Sequence, residues 1–304
     1  MRIYMGEGHQ HIPVLADESI DALCINADGC YIDATFGRGG HSQLILNELS
    51  PQGRLIAFDQ DITAIKHGRQ RFIDDSRVEF VHDNFANMLG YIQKQGMLGE
   101  IDGILMDIGV SSPQLDEANR GFSFMRDGPL DMRMNQSQGK TAFEYLSKVS
   151  EKDLVYALEV YGEERHARKV AKAIIQARQD RRLKDSTLSL VDVLIAAGLK
   201  RDNHKHAATR TFQAIRIAVN QEIQVLEQGL EAAMQCIKVG GRIAVISFHG
   251  LEHRVIKAFV RQYRQKDGEI VIKQMGKAQG VSYFERKQNP RARSAYLRVL
   301  ERVK

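Results

Sequence analysis

A glycine-rich turn between two predicted strands is the first place in this chain where chemistry can be expected. Residues Tyr31–Ser42 read Tyr-Ile-Asp-Ala-Thr-Phe-Gly-Arg-Gly-Gly-His-Ser, and the next apolar run closes on Asp59. Gly37, Gly39 and Gly40 let the backbone turn sharply, and the amides that open the following helix would face a ligand. An acidic residue at Asp59 can accept both hydroxyls of a ribose. The pattern predicts a site for a nucleoside-containing cofactor; the alternative is a βαβ turn that binds nothing.

The spacing of the glycines narrows the choice of cofactor. Gly37-Arg-Gly39-Gly40 does not match the dinucleotide spacing G-x-G-x-x-G, and the chain has no G-x-x-x-x-G-K-[ST] loop for a triphosphate. A strand that ends in Asp33 and runs into G-x-G-G resembles the first motif of class I methyltransferases. That resemblance implies that the turn wraps the methionine end of S-adenosylmethionine and that Asp59 holds the ribose.

Residues 1–112 alternate apolar runs with helical segments, which indicates a parallel sheet covered on both faces. In such a sheet the ligand lies at the carboxyl ends of the strands. Four aspartates fall at or just beyond these ends and are predicted to line one rim: Asp33, Asp59, Asp83 and Asp107.

The pattern changes after the fourth predicted strand. Residues 113–140 are rich in Gly, Asp, Ser and Arg and are typical of a long functional loop. From Thr141 to about Lys205 the pattern is helical, and Ser150 with Asp153 predicts a capped helix start.

One long helix is predicted from Thr209, with a single apolar face over about seven turns that Gly240-Gly241 ends. Arg242–Phe248 then resumes the sheet pattern. We therefore expect a discontinuous α/β methyltransferase domain, residues 1–112 and 209–304, interrupted by a helical insertion, residues 113–208.

The composition of the 304 residues, 43% hydrophobic and 27% charged, is that of a soluble globular protein. No run approaches the length of a membrane span, and the N-terminus lacks the apolar core of a signal peptide. Cys24, Cys30 and Cys236 are odd in number and show no C-x-x-C spacing, which favours a reducing compartment and disfavours structural zinc. His204 and His206, two apart in a polar linker, are poor metal ligands. We expect a cytoplasmic protein without a metal.

Basic residues are concentrated at the C-terminal end. From Arg254 to Lys304 there are 14 Lys and Arg against 4 Asp and Glu, a balance of +10, whereas the other 253 residues carry 29 against 34, a balance of −5. This asymmetry favours a polyanionic partner such as RNA or DNA, the alternative being a solvated basic face.

Seven segments, spread over nearly the whole chain, resemble those of the ribosomal small subunit methyltransferase H (MraW) family of bacteria, and several are long and peculiar to that family. They are His11–Leu15, Asp33–Ser42, Asp107–Asp116, Arg120–Met134, Tyr161–Arg165, Ala208–Arg216 and Asn289–Ser294. The resemblance implies a class I (Rossmann-like) α/β fold with an inserted all-helical domain for substrate recognition. It also implies S-adenosylmethionine as donor, N4 of a cytidine in the decoding centre of 16S rRNA as acceptor, and a homodimer.

The family's cofactor contacts fall on Gly39, Gly40, His41, Asp59, Phe85, Asp107 and Gln114. Phe85, just past the third strand, would cover the adenine face; the alternative is that Phe85 is plain core.

The segment after the fourth strand resembles, loosely, the acidic or seryl-proline motif of amino-methyltransferases. In those enzymes backbone carbonyls and a side chain take the hydrogens of the reacting amine. This resemblance assigns catalysis to Asp107, Ser111, Ser112 and Pro113, without deciding which group acts on N4. The alternative is a strand-ending turn in which Asp107 only positions the cofactor.

The target base must be unpaired or flipped out of its helix. Five side chains are candidates for holding RNA: Arg210, Arg216, His249, Arg291 and Arg293. The chain departs from the family in having Gly250 for Ser, His253 for Asp and Ala207 for Pro. These changes bear on RNA holding or on the orientation of the long helix, and we expect activity to be retained.

Two other functions are compatible with the sequence. One is an RNA-binding ribosome-assembly factor with a regulatory cofactor site, for which Gly250 and His253 are the only hints. The other is an amino-methyltransferase that acts on DNA, because composition alone does not separate RNA from DNA.

Overall fold

The computed structural model describes residues 13–199, 206, 208–264 and 269–304. His11, His204 and Ala207, which the sequence singled out, lie outside the described residues. The chain divides into two compact units. The first comprises residues 1–109 and 223–304, and the second comprises residues 110–222.

The first unit contains a mixed sheet. Its strands are β1 (Cys30–Asp33), β2 (Arg54–Asp59), β3 (Val78–His82), β4 (Ile101–Asp107), β5 (Ile237–Ser247), β6 (Ile272–Gln274), β7 (Gln279–Gly280) and β8 (Tyr296–Arg302). Its helices are α1 (Ala16–Leu23), α2 (Gly40–Glu48), α3 (Ile62–Arg71), α4 (Met88–Lys94), α11 (Glu222–Cys236), α12 (Gly250–Arg264) and α13 (Tyr283–Gln288), with α11 starting at the last residue of the second unit.

The strand order is β3-β2-β1-β4-β5-β8-β6, and β7 pairs with β8. Strands β1 to β5 are parallel, and β8 runs antiparallel to both β5 and β6. The order reverses between β1 and β4, which is where open α/β sheets bind their ligands. This topology confirms the predicted class I, Rossmann-like fold.

The strands form because their side chains are apolar on both faces. Ile32 on β1 pairs with Ile56 on β2 and with Ile104 on β4, and these three side chains enter one core together with α11. Their neighbours Tyr31 and Leu105 enter the opposite core, which α1 and α2 cover. Burial on both faces is the reason why the strands read as continuous apolar runs.

The second unit is helical. Its helices are α5 (Ser112–Asp116), α6 (Ala142–Lys148), α7 (Glu151–Val160), α8 (Ala167–Gln179), α9 (Thr187–Ala196) and α10 (Thr209–Asn220). Ser150 caps α7 as predicted, because its side chain accepts a hydrogen bond from the Asp153 amide. Helices α6 to α10 enclose a separate apolar core that includes Leu146, Ile174 and Phe212.

The prediction of one long helix from Thr209 is wrong. Helix α10 ends at Asn220, Gln221 adopts a left-handed conformation with φ 51°, and α11 follows and ends at Cys236, before Gly240. The side-chain amide of Asn220, at the end of α10, donates to the carbonyl of Met132 at 2.7 Å. The continuous apolar stripe therefore serves two cores: its first half lies in the helical unit and its second half packs on the sheet.

The predicted insertion, residues 113–208, can be compared with the second unit, residues 110–222. The two ranges differ mainly at the C-terminal boundary, because α10 belongs to the helical unit. The prediction of one long helix had assigned α10 to the sheet domain, but the helix breaks at Gln221. Substrate recognition by this unit stays a prediction.

Among the described helices, none combines the length and apolarity needed to cross a membrane. The three cysteines are free thiols.

Close packing between α11 and the segment after β3 gives a first test of the fold. A Cβ at Gly229 would lie 2.4 Å from the ring of Phe85. We expect Gly229→Ala to lower the free energy of unfolding by about 1–3 kcal/mol, because the ring must shift within a packed core. Urea unfolding monitored by circular dichroism measures this loss.

The matched control is Gly90→Ala, at a helical glycine of α4 where a Cβ meets nothing within 4 Å. It is expected to leave stability unchanged or to raise it by about 0.5–1 kcal/mol, since alanine favours a helix over glycine. Equal losses in the two variants would contradict the packing described here.

Candidate active site

The turn after β1 has a backbone that glycine alone accommodates without strain. Gly37 and Gly39 have φ values of 55° and 73°. A Cβ at Gly39 would lie 2.6 Å from the Phe36 ring, and one at Gly40 would lie 3.1 Å from Pro13. The Gly39 amide donates to the carbonyl of Phe36 at 2.7 Å, and α2 begins at the next residue. The turn is thus closed tightly against its own aromatic residue.

Asp59 at the end of β2 holds this turn in place. Its Oδ2 accepts a hydrogen bond from the Gly37 amide at 2.8 Å, and its Oδ1 accepts one from the Asp61 amide at 2.8 Å. Burial raises the pKa of Asp59 to about 7, although both amides favour its charged form. Each carboxylate oxygen has a second lone pair, so the predicted ribose contact remains open to Asp59.

Asp33 at the end of β1 is buried, with 1% of its surface exposed. Its Oδ2 accepts from the Ser42 hydroxyl at 2.6 Å, and its Oδ1 accepts from the Thr35 amide at 3.1 Å. Burial raises the pKa of Asp33 to about 6. This carboxyl joins the end of β1 to the first turn of α2.

Asp107 at the end of β4 is the most perturbed acid of the rim. Its amide donates to Thr35 Oγ1 at 2.7 Å, which fixes the strand end against the turn. Its side chain is 26% exposed, yet its Oδ1 is buried without a hydrogen-bond partner in the described part of the chain. Burial, then the nearby carboxyls of Asp33 and Glu252, raises the pKa of Asp107 to about 8. A buried carboxyl oxygen that lacks a partner is a feature of sites that await a ligand.

His41, in the first turn of α2, lies between the turn and Asp107. Its Nε2 is 3.0 Å from the carbonyl of Val14, so this nitrogen carries the proton in the neutral ring. Its Nδ1 lies 3.7 Å from Asp107 Oδ2, too far for a hydrogen bond but close enough for an electrostatic contact.

Phe85 begins a short 3₁₀ helix after β3, and its half-buried ring lies against Gly229 of α11 and the sheet core. Asp83, the fourth predicted rim carboxyl, accepts hydrogen bonds from the Asn84 amide and the Asn87 side chain. Asp83 therefore organises the loop that carries Phe85. Contact between Phe85 and adenine stays a prediction.

The seryl-proline segment forms the start of α5 in the helical unit. Ser111 and Gln114 make a capping box, in which Gln114 Oε1 accepts from the Ser111 amide at 3.0 Å, and Pro113 lies in the first turn. Gln114 is buried, and Ser111, Ser112 and Pro113 are half-buried. Their roles in catalysis and in cofactor binding stay predictions.

The structure describes the surroundings of the two RNA-binding candidates on α10. The Arg216 guanidinium donates to both carboxylate oxygens of Glu222, each at 2.8 Å, in a bidentate ion pair. Arg210, one turn and a half earlier, is half-buried. Arg216 therefore supports the junction of α10 and α11, which the sequence alone did not indicate.

His249 after β5 is also engaged within its own unit. Its Nε2 lies 2.8 Å from Glu252 Oε1, and the other oxygen of Glu252 accepts from the amides of Phe248 and His249. Glu252 closes the start of α12 in this way, a role that the sequence analysis missed. A carboxylate at the third position of a helix is the signal that indicates it. By contrast, Arg291 and Arg293 are exposed on the 3₁₀ helix Pro290–Ser294.

The two described departures from the family lie on α12. Gly250 is its first residue, and His253 Nδ1 is 2.8 Å from the Ser247 hydroxyl at the end of β5. The His253 ring also makes an edge contact with Tyr296, with 5.1 Å between ring centroids. Burial, and then Arg298, lowers the pKa of His253, so this ring acts as a neutral structural group.

Comparison with known proteins identifies similar chains. A family model described as the MraW methylase family matches residues 8–303. The chain is 52% identical to a ribosomal RNA small subunit methyltransferase H of Hydrogenovibrio crunogenus, with 96% of each chain covered. It is 44% identical to the protein of the same name from Shewanella amazonensis, with 98% of this chain and 99% of the relative covered. A solved rRNA methylase from Streptococcus thermophilus covers 97% of this chain and 100% of its own, at 14% identity and a TM-score of 0.42.

The raised pKa of Asp107 predicts a specific dependence of stability on pH. In the folded protein this carboxyl binds its proton up to about pH 8, whereas the ordinary value is 3.8. Because the folded state holds the extra proton between these values, stability must fall as pH rises from about 4 to 8. Asp107→Asn cannot ionise, so the variant gains melting temperature relative to the unsubstituted protein as pH rises. We expect the difference in melting temperature between the variant and the unsubstituted protein to change by about 2 °C or more between pH 5 and 8.5, as measured by differential scanning calorimetry.

The matched control is Asp74→Asn, which alters an exposed carboxyl of the same unit. Its melting temperature is expected to follow that of the unsubstituted protein across the pH range. If the difference in melting temperature between Asp107→Asn and the unsubstituted protein stays constant between pH 5 and 8.5, Asp107 is ionised in the folded protein throughout that range.

Proposed function

The chain belongs to the MraW methylase family, and on that premise we propose that it methylates N4 of a cytidine in the decoding centre of 16S rRNA. The methyl donor is S-adenosylmethionine. The names of relatives at 44–52% identity support methylation of small-subunit rRNA. The cytidine, its N4 position and the decoding centre rest on the resemblance of the sequence motifs.

The observation that carries the proposal is the group of perturbed acids at the switch point of the sheet. Asp33, Asp59 and Asp107 have raised pKa values, and Asp107 Oδ1 is buried and lacks a partner among the described residues. An acidic, partly desolvated rim matches a ligand that carries positive charge and two ribose hydroxyls. The glycine turn adds a backbone surface that such a ligand can approach closely.

The reaction is a displacement in which the N4 lone pair attacks a methyl group activated by the positive sulfur of the donor. The N4–C bond forms as the C–S bond breaks, and one proton leaves N4. The exocyclic amine of cytosine is a poor nucleophile because its lone pair is delocalised into the ring. The protein must therefore position N4 and accept a hydrogen bond from it as the nitrogen becomes pyramidal.

Asp107 has the properties this task requires. It ends β4 beside the turn, and its position is fixed by Thr35. Its raised pKa makes the carboxylate a stronger base than an ordinary aspartate, and the positive charge of the bound donor would favour the ionised form that accepts the proton. Ser111, Ser112 and Pro113 follow four to six residues later, and their hydroxyls and carbonyls are the further acceptors we assign to N4. Gln114 holds this segment in its helical start through the capping box.

A cytosine within a helix cannot reach such a site, so the target must be unpaired or turned out of its stack. Arg291 and Arg293 lie in the basic C-terminal segment and supply exposed positive charge for the phosphates around it.

The hypothesis of an assembly factor makes a different prediction, since it requires RNA binding without methyl transfer. The departures that suggested it have structural roles among the described residues: Gly250 starts α12, and His253 contacts Ser247 and Tyr296. We therefore favour the enzyme. An assay that compares 30S subunits with duplex DNA as methyl acceptors distinguishes an rRNA substrate from a DNA substrate.

Methyl transfer to 30S subunits that lack the modification tests the proposal directly. With labelled S-adenosylmethionine, we expect N4-methylcytidine in the digested 16S rRNA and no transfer to duplex DNA. Asp107→Ala is expected to lower kcat by about 10²-fold or more, because the proton acceptor of N4 is lost. Nucleoside analysis by mass spectrometry identifies the methylated base.

Asp74→Ala, which removes an exposed carboxyl from the same unit, is the matched control and should retain full activity. A methylated nucleoside other than N4-methylcytidine would refute the assigned position. Cofactor binding without any methylated nucleoside would favour the assembly factor.

Binding of the donor should also release protons. A cation beside Asp107 favours its charged form, so the proton that this carboxyl holds below about pH 8 must leave on binding. Affinity for S-adenosylmethionine is expected to rise by up to about tenfold per pH unit between pH 6 and 8. Calorimetry at pH 7 in phosphate and in Tris measures the released protons.

Asp107→Asn should bind the donor with much less proton release and a flatter pH profile. Release that is unchanged in this variant would remove Asp107 from the cofactor site, whatever the reaction catalysed.

A further inference from the structure

Two large aromatic side chains stand exposed next to each other on α13. Tyr283 is 74% exposed and Phe284 is 75% exposed. Their ring centroids are 5.9 Å apart and their planes are inclined by 76°. Aromatic side chains dominate core and interface energetics when buried, so an exposed adjacent pair marks a surface for a partner.

The opposite side of α13 is fastened to the body of the first unit. Ser282 caps the helix by accepting from the Glu285 amide at 3.1 Å. Glu285 Oε1 accepts from the Leu15 amide at 2.8 Å, and Arg286 Nε donates to the carbonyl of Val281 at 3.2 Å. Because the bond from Leu15 to Glu285 joins α13 to the start of α1, the helix presents its two exposed aromatic rings on a fixed support.

Val281 and Ala292, which flank the helix on either side, are buried in the apolar core beneath the sheet. Asn289 ends α13 and accepts from the Arg291 amide at 3.1 Å, which starts the next helical turn. The exposure of the rings is therefore a property of an anchored segment.

The surroundings of the rings are basic. Lys287 follows Tyr283 by four residues and Phe284 by three, so its side chain shares their face of the helix. Lys287 and Arg293 are exposed and have no ion-pair partner among the described residues. The segment from Arg254 to Lys304 carries 14 Lys and Arg against 4 Asp and Glu. This charge favours a polyanion over a neutral or basic protein surface.

We propose that Tyr283 and Phe284 form a stacking surface for unpaired bases of RNA, and that Lys287 and Arg293 hold the phosphates beside those bases. Every base has an apolar face that stacks on an aromatic ring, so such a surface binds single strands with little dependence on sequence. The inclined planes present two separate faces, which suits two successive unstacked bases. This inference deepens the proposed function, since it assigns a place where the unpaired substrate strand is held outside the reaction site.

Fluorescence anisotropy with the full chain and a labelled single-stranded RNA of about 12 nucleotides tests the surface without any methyl transfer. Each of Tyr283→Ala and Phe284→Ala is expected to weaken binding by about tenfold, as measured for single aromatic stacking residues. Phe284→Tyr should retain affinity, whereas Phe284→Leu should not, because leucine keeps the apolar contact but lacks a ring face. The matched control is Ile73→Ala, which removes another exposed apolar side chain, 77% exposed, from the same unit.

Salt dependence separates stacking from phosphate contact. Lys287→Ala and Arg293→Ala should each reduce the slope of log affinity against log salt by about 0.7 for a single strand, whereas the aromatic variants should keep that slope. Aromatic variants that bind RNA as tightly as the unsubstituted protein would overturn the proposal. If the same variants then change the sedimentation coefficient, the surface belongs to a second copy of the chain instead.

The experiments distinguish a failure of the proposed reaction from a failure of the stacking surface. RNA binding that depends on Tyr283 and Phe284 without formation of N4-methylcytidine would leave the stacking surface standing and refute the proposed reaction. Formation of N4-methylcytidine by both aromatic variants at unchanged kcat/KM, with unchanged RNA affinity, would refute the stacking surface alone.

Discussion

The turn after β1 is bonded to both of the strands that flank β1, and the geometry of the candidate site depends on those bonds. On one side, the Phe36 amide donates to the carbonyl of Phe58 and the Gly37 amide donates to the carboxyl of Asp59. On the other side, the Asp107 amide donates to the hydroxyl of Thr35. A residue with a side chain at Gly39 would collide with Phe36 and separate these partners. Three strand ends are thus held at fixed distances by one short loop.

This arrangement places three carboxyls where water is scarce, and the protein bears the electrostatic cost. Asp33 and Asp59 are compensated by hydroxyl or amide donors, whereas Asp107 is left with a buried oxygen that lacks a partner in the described structure. Replacing a carboxylate's hydration with fixed protein dipoles prepares a site for positive charge but lowers the stability of the empty protein. The perturbed acids belong to the end of the sheet at which open α/β sheets bind their ligands.

The sequence indicated the sheet, the turn and its acidic rim because each depends on local pattern. Apolar runs closed by aspartate predict strands of a parallel sheet, and the glycine spacing predicts the turn, as found for Gly37, Gly39 and Asp59. The long helix failed because an apolar stripe of period 3.6 continues across Gln221, although the backbone there is left-handed. Which core each half of the stripe enters is a tertiary fact that periodicity does not encode.

The sequence also did not show which charged side chains form ion pairs and which aromatic side chains are exposed. The sequence suggested Arg216 as a phosphate ligand, yet its Nε and Nη2 both donate to the carboxylate of Glu222. Conversely, Tyr283 and Phe284 read as core residues by type, and only the fold shows that α13 turns them to solvent. Ion pairs and exposure depend on partners far away in sequence, so composition cannot assign them.

The discontinuous course of the first unit has a consequence for its synthesis. Strand β4 ends at Asp107, but its neighbour β5 begins at Ile237, after the whole helical unit. A growing chain therefore carries one unpaired edge of β4 while residues 110–222 are made, and helices with mostly local contacts can form during that interval. The exposed edge is a template for wrong strand pairing until β5 arrives. Rapid collapse of the helical unit would shorten the path to correct pairing, so the insertion bears on the yield of folded protein.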